Sequence, residues 1–248
     1  MDCVNADGEY GIAYIAKISW MGLELYFSHL LLCKNSEKKS KSSLHRTSLP
    51  EINRSGFYYS NKLFSVSCNK TSADLKQELI SLGKNNIEWT CHYPNVQIKI
   101  ASSLGKVEGL GYIEELYTNI KPWRMKIERL FWGRFVSEQH SLVWIKWEGN
   151  WQRSYLWFDG KPIANFTIER HRIIFDDGEI EFETQTEIRT GSLRTGIFKK
   201  ALALRRLFPF NILNSREQKW LSMSKLKLKT DTVVDGTSIF EIVDLRHE

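Results

Sequence analysis

The chain has 248 residues, of which 42% are hydrophobic, and a formal net charge of +6. This length can bury a substantial core in one large domain or in two smaller ones, and no run of about 20 apolar residues predicts a membrane-spanning helix. The sequence starts without the basic and apolar regions of a signal peptide, so we expect a cytoplasmic protein. The positive charge lies in one serine-rich and one amphipathic stretch without a recognition module, which argues against a nucleic-acid partner.

The cysteine pattern does not indicate a metal site. The four cysteines are widely spaced, form no C-x-x-C pair and have no histidine nearby at zinc-finger spacing. No two histidines stand at a metal-binding spacing either. We therefore expect free thiols at Cys3, Cys33, Cys68 and Cys91, and neither a metal nor another cofactor.

In chain order, the first feature is a predicted β-hairpin. Residues 10–20 are rich in β-branched and aromatic residues, and residues 23–29 alternate apolar and polar side chains after the turn at Met21-Gly22. The lysine-rich, aperiodic residues 34–43 predict a flexible connection after this hairpin.

Short strands continue the chain, with one interruption. The leucines of residues 75–82 recur at helical spacing and predict one or two helical turns. The remaining segments of this part are β-rich and bounded by Asn, Gly, Ser and Pro, which predict turns. These predicted strands are residues 56–60, 63–68, 87–93 and 96–101.

Beyond residue 108 the predicted strands become longer and more aromatic. The one convincing helix covers residues 192–208, where apolar residues recur near helical spacing and Pro209 ends the pattern. Two strands follow it, at residues 225–229 and 238–243. The strands that precede it are residues 109–118, 129–136, 141–148, 151–159, 165–169, 172–175 and 179–187.

About fifteen predicted strands and a single convincing helix exclude a doubly wound α/β fold, in which strands alternate with helices. The sequence predicts a mainly β protein built as antiparallel barrels or a sandwich. The strand count favours two packed halves over one eight-stranded barrel. We place an N-terminal β domain at residues 1–136 and a C-terminal β domain, which includes the helix at 192–208, at residues 137–248.

Residues 109–135 concentrate glycine, tryptophan, arginine and carboxylate residues. Gly109-x-Gly111 has no third glycine and no βαβ context, which excludes a dinucleotide-binding motif. Together with flanking motifs, this segment resembles the lipocalin-like family that includes the hydroxyneurosporene synthases, which are carotenoid hydratases. Within that family, the segment is more similar to bacterial members without an assigned role. The similarity covers residues 2 to about 160 and rests on D-x-x-x-x-D-G-x-Y-G at 2–11, G-x-G-Y-x-E at 109–114, Pro122-Trp123, W-G-R-F at 132–135 and V-W-I-x-W at 143–147.

The resemblance implies a pair of lipocalin-like β-barrels. It also implies bulky, apolar polyene or terpenoid substrates and chemistry by protonation, hydration or cyclisation. The hydratases of this family carry an acidic residue followed by His or Ser and Asn after their G-x-x-Y element. This chain departs from that pattern, because Glu114 is followed by Glu115 and Leu116.

Glu114 is the candidate acid or base. Residues two apart on a strand share a face, so Tyr112 and Glu114 project together while Glu115 projects to the other side, towards solvent. In an aromatic interior, desolvation would raise the pKa of Glu114, which could then protonate an alkene as the acid or activate water as the carboxylate, with Arg134 and Tyr112 as orienting groups. Alternatively, Glu114 forms a structural ion pair with Arg134 or Arg124.

The aromatic and histidine side chains supply the candidate ligand contacts. We assign ligand binding to Trp123, Trp132, Tyr117 and His29, the alternative for each being ordinary core, cross-strand or rim packing. In residues 143–147 alternate positions point to opposite faces, so the tryptophans of this segment cannot all line one pocket. The turn residues that flank His92 and His140 predict that both are exposed.

Three functions are compatible with this sequence. The first is binding of a medium or large apolar small molecule in a barrel or inter-barrel cavity. The second is a cofactor-independent hydratase or cyclase that acts on a terpenoid or polyene through Glu114. The third is a scaffold without a ligand. Contact of the basic segment at residues 193–208 with a membrane surface is a minor further possibility, and the sequence leaves the oligomeric state open.

Overall fold

The computed structural model describes residues 1–20, 22–52, 56–69, 74–121, 124–192 and 215–245. Within these ranges the protein is all-β and forms eighteen strands in two sheets of nine strands each. The antiparallel, mainly β class predicted from the sequence is confirmed.

The first sheet has the order β4-β3-β2-β1-β9-β8-β6-β5, and β7 also pairs with β8. The long strand β8 continues through Pro94, where the sequence predicts two separate strands. The strands are β1 (Asp2–Val4), β2 (Tyr10–Trp20), β3 (Leu23–Lys34), β4 (Glu37–Ser43), β5 (Gly56–Ser60), β6 (Phe64–Asn69), β7 (Leu75–Leu82), β8 (Asn85–Ser102) and β9 (Gly105–Thr118).

The second sheet has the order β13-β12-β11-β10-β18-β17-β16-β15-β14. Its strands β16, β17 and β18 are long antiparallel neighbours, and β10 pairs with β18 along its whole length. The strands are β10 (Arg129–Val136), β11 (Ser141–Glu148), β12 (Arg153–Phe158), β13 (Lys161–Pro162), β14 (Phe166–Ile168), β15 (Arg172–Phe175), β16 (Gly178–Ser192), β17 (Arg216–Leu228) and β18 (Val233–Asp244).

The chain divides into two compact units that do not coincide with the two sheets. The first unit contains residues 1–76 and 90–115, and the second contains residues 77–89 and 116–248. The chain therefore passes from one unit to the other within β7, β8 and β9. The division between residues 136 and 137 that the sequence suggests stays a prediction.

Residues 34–43 are not the flexible connection that the composition predicts. They form the end of β3 and the strand β4, with Leu32 paired to Lys39 and Lys34 paired to Glu37. Most side chains of β4 are exposed, so backbone pairing with β3 holds this strand without apolar burial. Lysines on such an edge strand discourage pairing with another chain, which explains a composition that resembles a loop.

Residues 75–82 are also different from the sequence prediction. They form strand β7 and not helical turns, although Leu75 and Leu79 are both buried. Pairing with β8 supplies this segment with backbone hydrogen bonds, and eight residues are too few for helical spacing to prevail over such pairing. Of the helix predicted at residues 192–208, Ser192 is the last residue of β16, and residues 193–208 lie outside the described ranges.

The first unit has an apolar core around strands β2, β3, β5, β6, β8 and β9. Two glycines of the G-x-G motif let β1 approach β9 closely. A Cβ atom on Gly109 would lie 2.0 Å from the carbonyl oxygen of Val4, and one on Gly111 would lie 1.9 Å from that of Asp2. The motif therefore serves strand packing, which is a structural reason for glycine at both positions.

The second unit has its apolar core on one face of the second sheet, which we name the core face. Trp144 crosses Gly133 there so closely that a Cβ atom on Gly133 would lie 2.4 Å from the indole ring. The glycine thus makes room for the largest side chain of the layer. The main buried members of the core face are Phe135, Leu142, Trp144, Leu156, Phe182 and Phe240.

Candidate functional site

The opposite face of the second sheet is also buried, and it has a different composition. Every side chain of β11 from Ser141 to Ile145 is buried, so both faces of this strand are covered. Trp132 pairs with Ile145 on one side and with Glu241 on the other, which fixes the residues that share its face. We name this the polar aromatic face, formed by Leu130, Trp132, Arg134, Val143, Ile145, Trp147, Tyr155, Trp157, Arg189, Glu217, Lys219, Leu221, Ile239 and Glu241.

Three tryptophans pack together on the polar aromatic face. Trp89 of β8 lies with its ring centre 4.7 Å from Trp157 and 6.1 Å from Trp132, the latter pair in an edge-to-face arrangement. Tyr155 stacks on Trp157 with ring centres 5.7 Å apart. All three tryptophans are buried. Such a cluster forms a large, rigid apolar layer on this face.

The same face carries buried charges. Arg134 is only 1% exposed, and its Nη1 donates a hydrogen bond to the carbonyl oxygen of Thr237 at 3.3 Å. Glu217 accepts hydrogen bonds from Arg189, at 3.1 Å from the Nε atom. Lys219 is 8% exposed, and its Nζ atom lies 2.5 Å from a carboxylate oxygen of Glu241. A buried ion pair rarely stabilises a fold more than apolar residues of the same volume would.

Trp147 supplies a buried donor that has no acceptor. Its side chain is 3% exposed, and its indole Nε1–H has no hydrogen-bond partner within the described structure. An unsatisfied buried donor costs about 1 to 3 kcal/mol, and native proteins contain few of them. This donor therefore requires an explanation beyond packing.

Tyr155 adds a phenol with an altered acidity. Burial raises the pKa of Tyr155 above its ordinary value, and the nearby Arg153 partly opposes this effect. The neutral phenol is therefore the stable form over a wider pH range than in water. A neutral phenol can both donate and accept a hydrogen bond at the edge of the tryptophan cluster.

Two of the site residues predicted from the sequence, Trp132 and Arg134, lie on this face. Their spacing of two residues on β10 places both on the same side of the strand. Sequence reasoning did not identify Glu217 and Lys219, because charged residues that alternate along a strand are typical of a solvent-exposed face. It did not assign ligand contacts to Trp147 and Trp157.

Tyr112 and Glu114 belong to the first unit, on β9. Tyr112 is buried opposite Asp2 of β1, and Glu114 is half-buried. Burial raises the pKa of the Cys91 thiol well above its ordinary value, and the Glu114 carboxylate and Asp2 raise it further. Glu114 therefore lies close enough to Cys91 to act on it electrostatically. The predicted pairing of Glu114 with Arg134 or Arg124 stays a prediction.

The other three predicted ligand contacts occupy different settings. His29 on β3 is half-buried, stacks on Phe27 with ring centres 6.2 Å apart, and its Nδ1 lies 2.8 Å from the Ser42 hydroxyl. Tyr117 is 53% exposed at the end of β9. Trp123 lies outside the described residues. The ligand-binding roles assigned to these residues stay predictions.

His92 is buried, although its flanking turn residues predict exposure. It is 9% exposed on β8, and its Nε2 lies 3.3 Å from a carboxylate oxygen of Glu115. Its Nδ1 lies 3.5 Å from a carboxylate oxygen of Asp74, outside hydrogen-bonding geometry. The prediction was wrong because Pro94 and Asn95 do not end the strand. A histidine between two carboxylates is a second, smaller polar cluster of the first unit.

All four cysteines are free and buried, and burial raises the pKa of Cys68 to about 11, which keeps its thiol neutral. No group of three His, Cys, Asp or Glu side chains within the described ranges is arranged to hold a metal ion. The described part of the chain also has no helix with the length and hydropathy to cross a bilayer.

Comparison with known proteins identifies the fold. No protein-family model and no curated protein sequence matches the chain. Among solved structures, kievitone hydratase from Nectria haematococca matches with a TM-score of 0.56 and 9% identity over 98% of this chain and 87% of that one. An AttH candidate from Nitrosomonas europaea matches with a TM-score of 0.56 and 7% identity over 96% and 89%.

A third match is CghA in complex with Sch210972, with a TM-score of 0.52 and 7% identity over 99% of this chain and 88% of that one. At such low identities these similarities establish the fold and not the activity. They extend over nearly the whole chain, so the shared architecture includes both sheets. The chain therefore has the lipocalin-like β fold that these solved structures share.

Proposed function

We propose that this protein binds a largely apolar small molecule of medium or large size, and that the polar aromatic face provides part of the binding surface. The observation that carries the proposal is the composition of this face, where packed tryptophans lie beside buried Arg134, Glu217 and Lys219. Small-molecule sites are typically lined in this way, by apolar and aromatic side chains with a few placed polar groups.

The comparisons and the sequence motifs support the same proposal. Kievitone hydratase is by its name an enzyme that acts on a small molecule, and the CghA structure contains the small molecule Sch210972. The motifs that resemble the hydroxyneurosporene synthase family point to a polyene or terpenoid. An elongated or polycyclic apolar molecule of this class suits a surface of stacked tryptophans.

An enzymatic function is the second candidate, and the structural similarity to a hydratase favours it. In this case the protein would be a cofactor-independent hydratase or cyclase. Glu114 would transfer the proton, and Tyr112, two residues before it on the same side of β9, would orient the substrate. General acid–base catalysis by one positioned carboxyl group contributes about 10²- to 10⁴-fold to the rate, so a Glu114→Gln variant would lose that factor.

The first experiment is native mass spectrometry of the purified protein, followed by denaturation and extraction. We expect a mass increment that disappears on denaturation and an extract that contains a polyene, a terpenoid or another largely apolar molecule. Replacement of Trp157 by Leu should then weaken rebinding of the extracted molecule at least tenfold, because it removes one wall of the tryptophan cluster.

The matched control for that variant is Trp144→Leu, on the core face of the same sheet. Both replacements remove a buried tryptophan, but only Trp157 belongs to the polar aromatic face. Equal weakening by both variants would show a loss of general stability and contradict the assignment of the face. An empty protein that binds neither polyenes nor terpenoids would favour the scaffold function.

A further inference from the structure

The surroundings of Trp147 leave its indole N–H without an acceptor. On the polar aromatic face, Leu130 lies directly opposite Trp147 on β10 and Arg153 directly opposite on β12. Ile145 is the next residue of β11 on this side. Leucine and isoleucine have no polar side-chain atoms, and arginine only donates hydrogen bonds. The adjacent side chains therefore cannot satisfy this donor.

Buried water is an inadequate alternative partner. A buried water molecule usually makes two to four hydrogen bonds to polar groups. The side chains of Leu130 and Ile145 supply none, Trp147 itself supplies one, and Arg153 is exposed and donates a hydrogen bond to the carbonyl oxygen of Gln152. A partner that brings its own apolar body together with one acceptor atom fits this environment better, because the apolar part covers the leucine and isoleucine while the acceptor meets the indole.

We propose that the ligand of the polar aromatic face carries an acceptor oxygen, such as an ether, ester or ketone oxygen, that takes the hydrogen bond of Trp147 Nε1–H. This inference rests on the proposed ligand-binding function and narrows its ligand class to oxygenated apolar molecules. Trp147 is then a specificity residue that distinguishes an oxygenated skeleton from the corresponding hydrocarbon. The tryptophan cluster of Trp89, Trp132 and Trp157 recognises the apolar body that both molecules share.

The test compares two ligands in three proteins. The ligands are farnesyl methyl ether and the hydrocarbon in which a CH₂ group replaces the ether oxygen. The proteins are wild type, Trp147→Phe and the core-face control Trp144→Phe. Dissociation constants come from isothermal titration, and the ratio of the two constants is compared between proteins, which cancels the different solubility of the two ligands in water.

We expect this ratio to favour the ether about five- to tenfold more in wild type than in Trp147→Phe, the effect of one net hydrogen bond. Trp144→Phe should keep the wild-type ratio. Equal ratios in wild type and Trp147→Phe, with both ligands bound, would overturn the role of Trp147 and leave the binding function intact. Failure of wild type to bind either ligand would instead count against the proposed polyene- or terpenoid-binding function.

A measurement on the wild-type protein covers the case in which Trp147→Phe does not fold. In protein with ¹⁵N-labelled tryptophan, the indole N–H signal of Trp147 should move downfield when the ether binds and much less when the hydrocarbon binds. The signals of Trp132 and Trp157 should move with both ligands. A Trp147 signal that responds equally to the two ligands would refute the hydrogen bond.

Discussion

The two faces of the second sheet are built from the same strands, and both are buried, yet their chemistry differs. The core face consists of aromatic and aliphatic side chains, and its buried polar members are serines such as Ser222 and Ser238. The polar aromatic face contains a fully buried arginine and two ion pairs beside its tryptophans. The core face has the composition that stability alone favours.

The composition of the polar aromatic face is less favourable for stability than that of the core face. Apolar residues in place of a buried ion pair are often neutral or stabilising, and an unsatisfied indole donor is unfavourable. Functional sites are the places where proteins retain such groups. The comparison therefore predicts that replacements on the core face affect stability most, and that replacements on the polar aromatic face affect ligand binding most.

The largest effect is expected for Trp144→Ala on the core face. Trp144 packs between Gly133, Phe182 and Phe240, so its removal leaves a large cavity. Replacement of a buried tryptophan by alanine lowers the free energy of unfolding by about 3 to 5 kcal/mol, which urea unfolding would measure. A loss below about 1 kcal/mol would show that the core face is loosely packed and would remove the contrast between the faces.

A smaller effect on stability is expected for Glu217→Leu on the polar aromatic face. The change removes the carboxylate of Glu217, which accepts hydrogen bonds from Arg189, and the arginine side chain is 26% exposed, so water compensates for part of the loss. We expect unfolding to become easier by about 2 to 3 kcal/mol. Urea unfolding at pH 7 gives this quantity.

The double variant Arg189→Met/Glu217→Leu tests the reason for this loss. With both charges removed, the free energy of unfolding should return to within about 1 kcal/mol of wild type, while ligand affinity stays reduced. If the double variant were as unstable as the single variant, the ion pair would be a structural requirement. The two faces would then differ less than their compositions suggest.

The sequence predicts much of this architecture. Alternation of apolar and polar residues is a local property, so most strands of the second sheet agree with the prediction, including β10 and β11. The alternation in residues 143–147 also predicts that Trp144 and Trp147 lie on opposite faces, as they do in the structure. The sequence does not predict edge strand β4, because exposed lysines indicate contact with solvent and say nothing about backbone pairing.

The composition of the polar aromatic face could not be predicted in the same way. The sequence predicts only the end of β17, at residues 225–229, and misses its first part. In that first part Glu217 and Lys219 alternate with other residues as charged side chains do on a solvent-exposed strand, so the pattern does not indicate that they are buried. Whether a face is covered depends on strands distant in sequence. Trp89 of β8 packs on Trp132 and Trp157, and no local pattern reveals this contact.

The smallest effect is expected from the ionisation of Tyr155 at the edge of the tryptophan cluster. Burial raises the pKa of Tyr155 in the folded protein, so the unfolded chain releases this proton first as the pH increases. The contribution of the neutral phenol to stability is complete below the ordinary pKa of tyrosine and is lost as the pH rises through the higher folded value. The urea midpoint of wild type should therefore decrease between pH 9 and pH 11 slightly more than that of Tyr155→Phe. A bound apolar ligand would desolvate the phenol further and enlarge this difference between the two proteins, whereas an unchanged difference would place the ligand away from Tyr155.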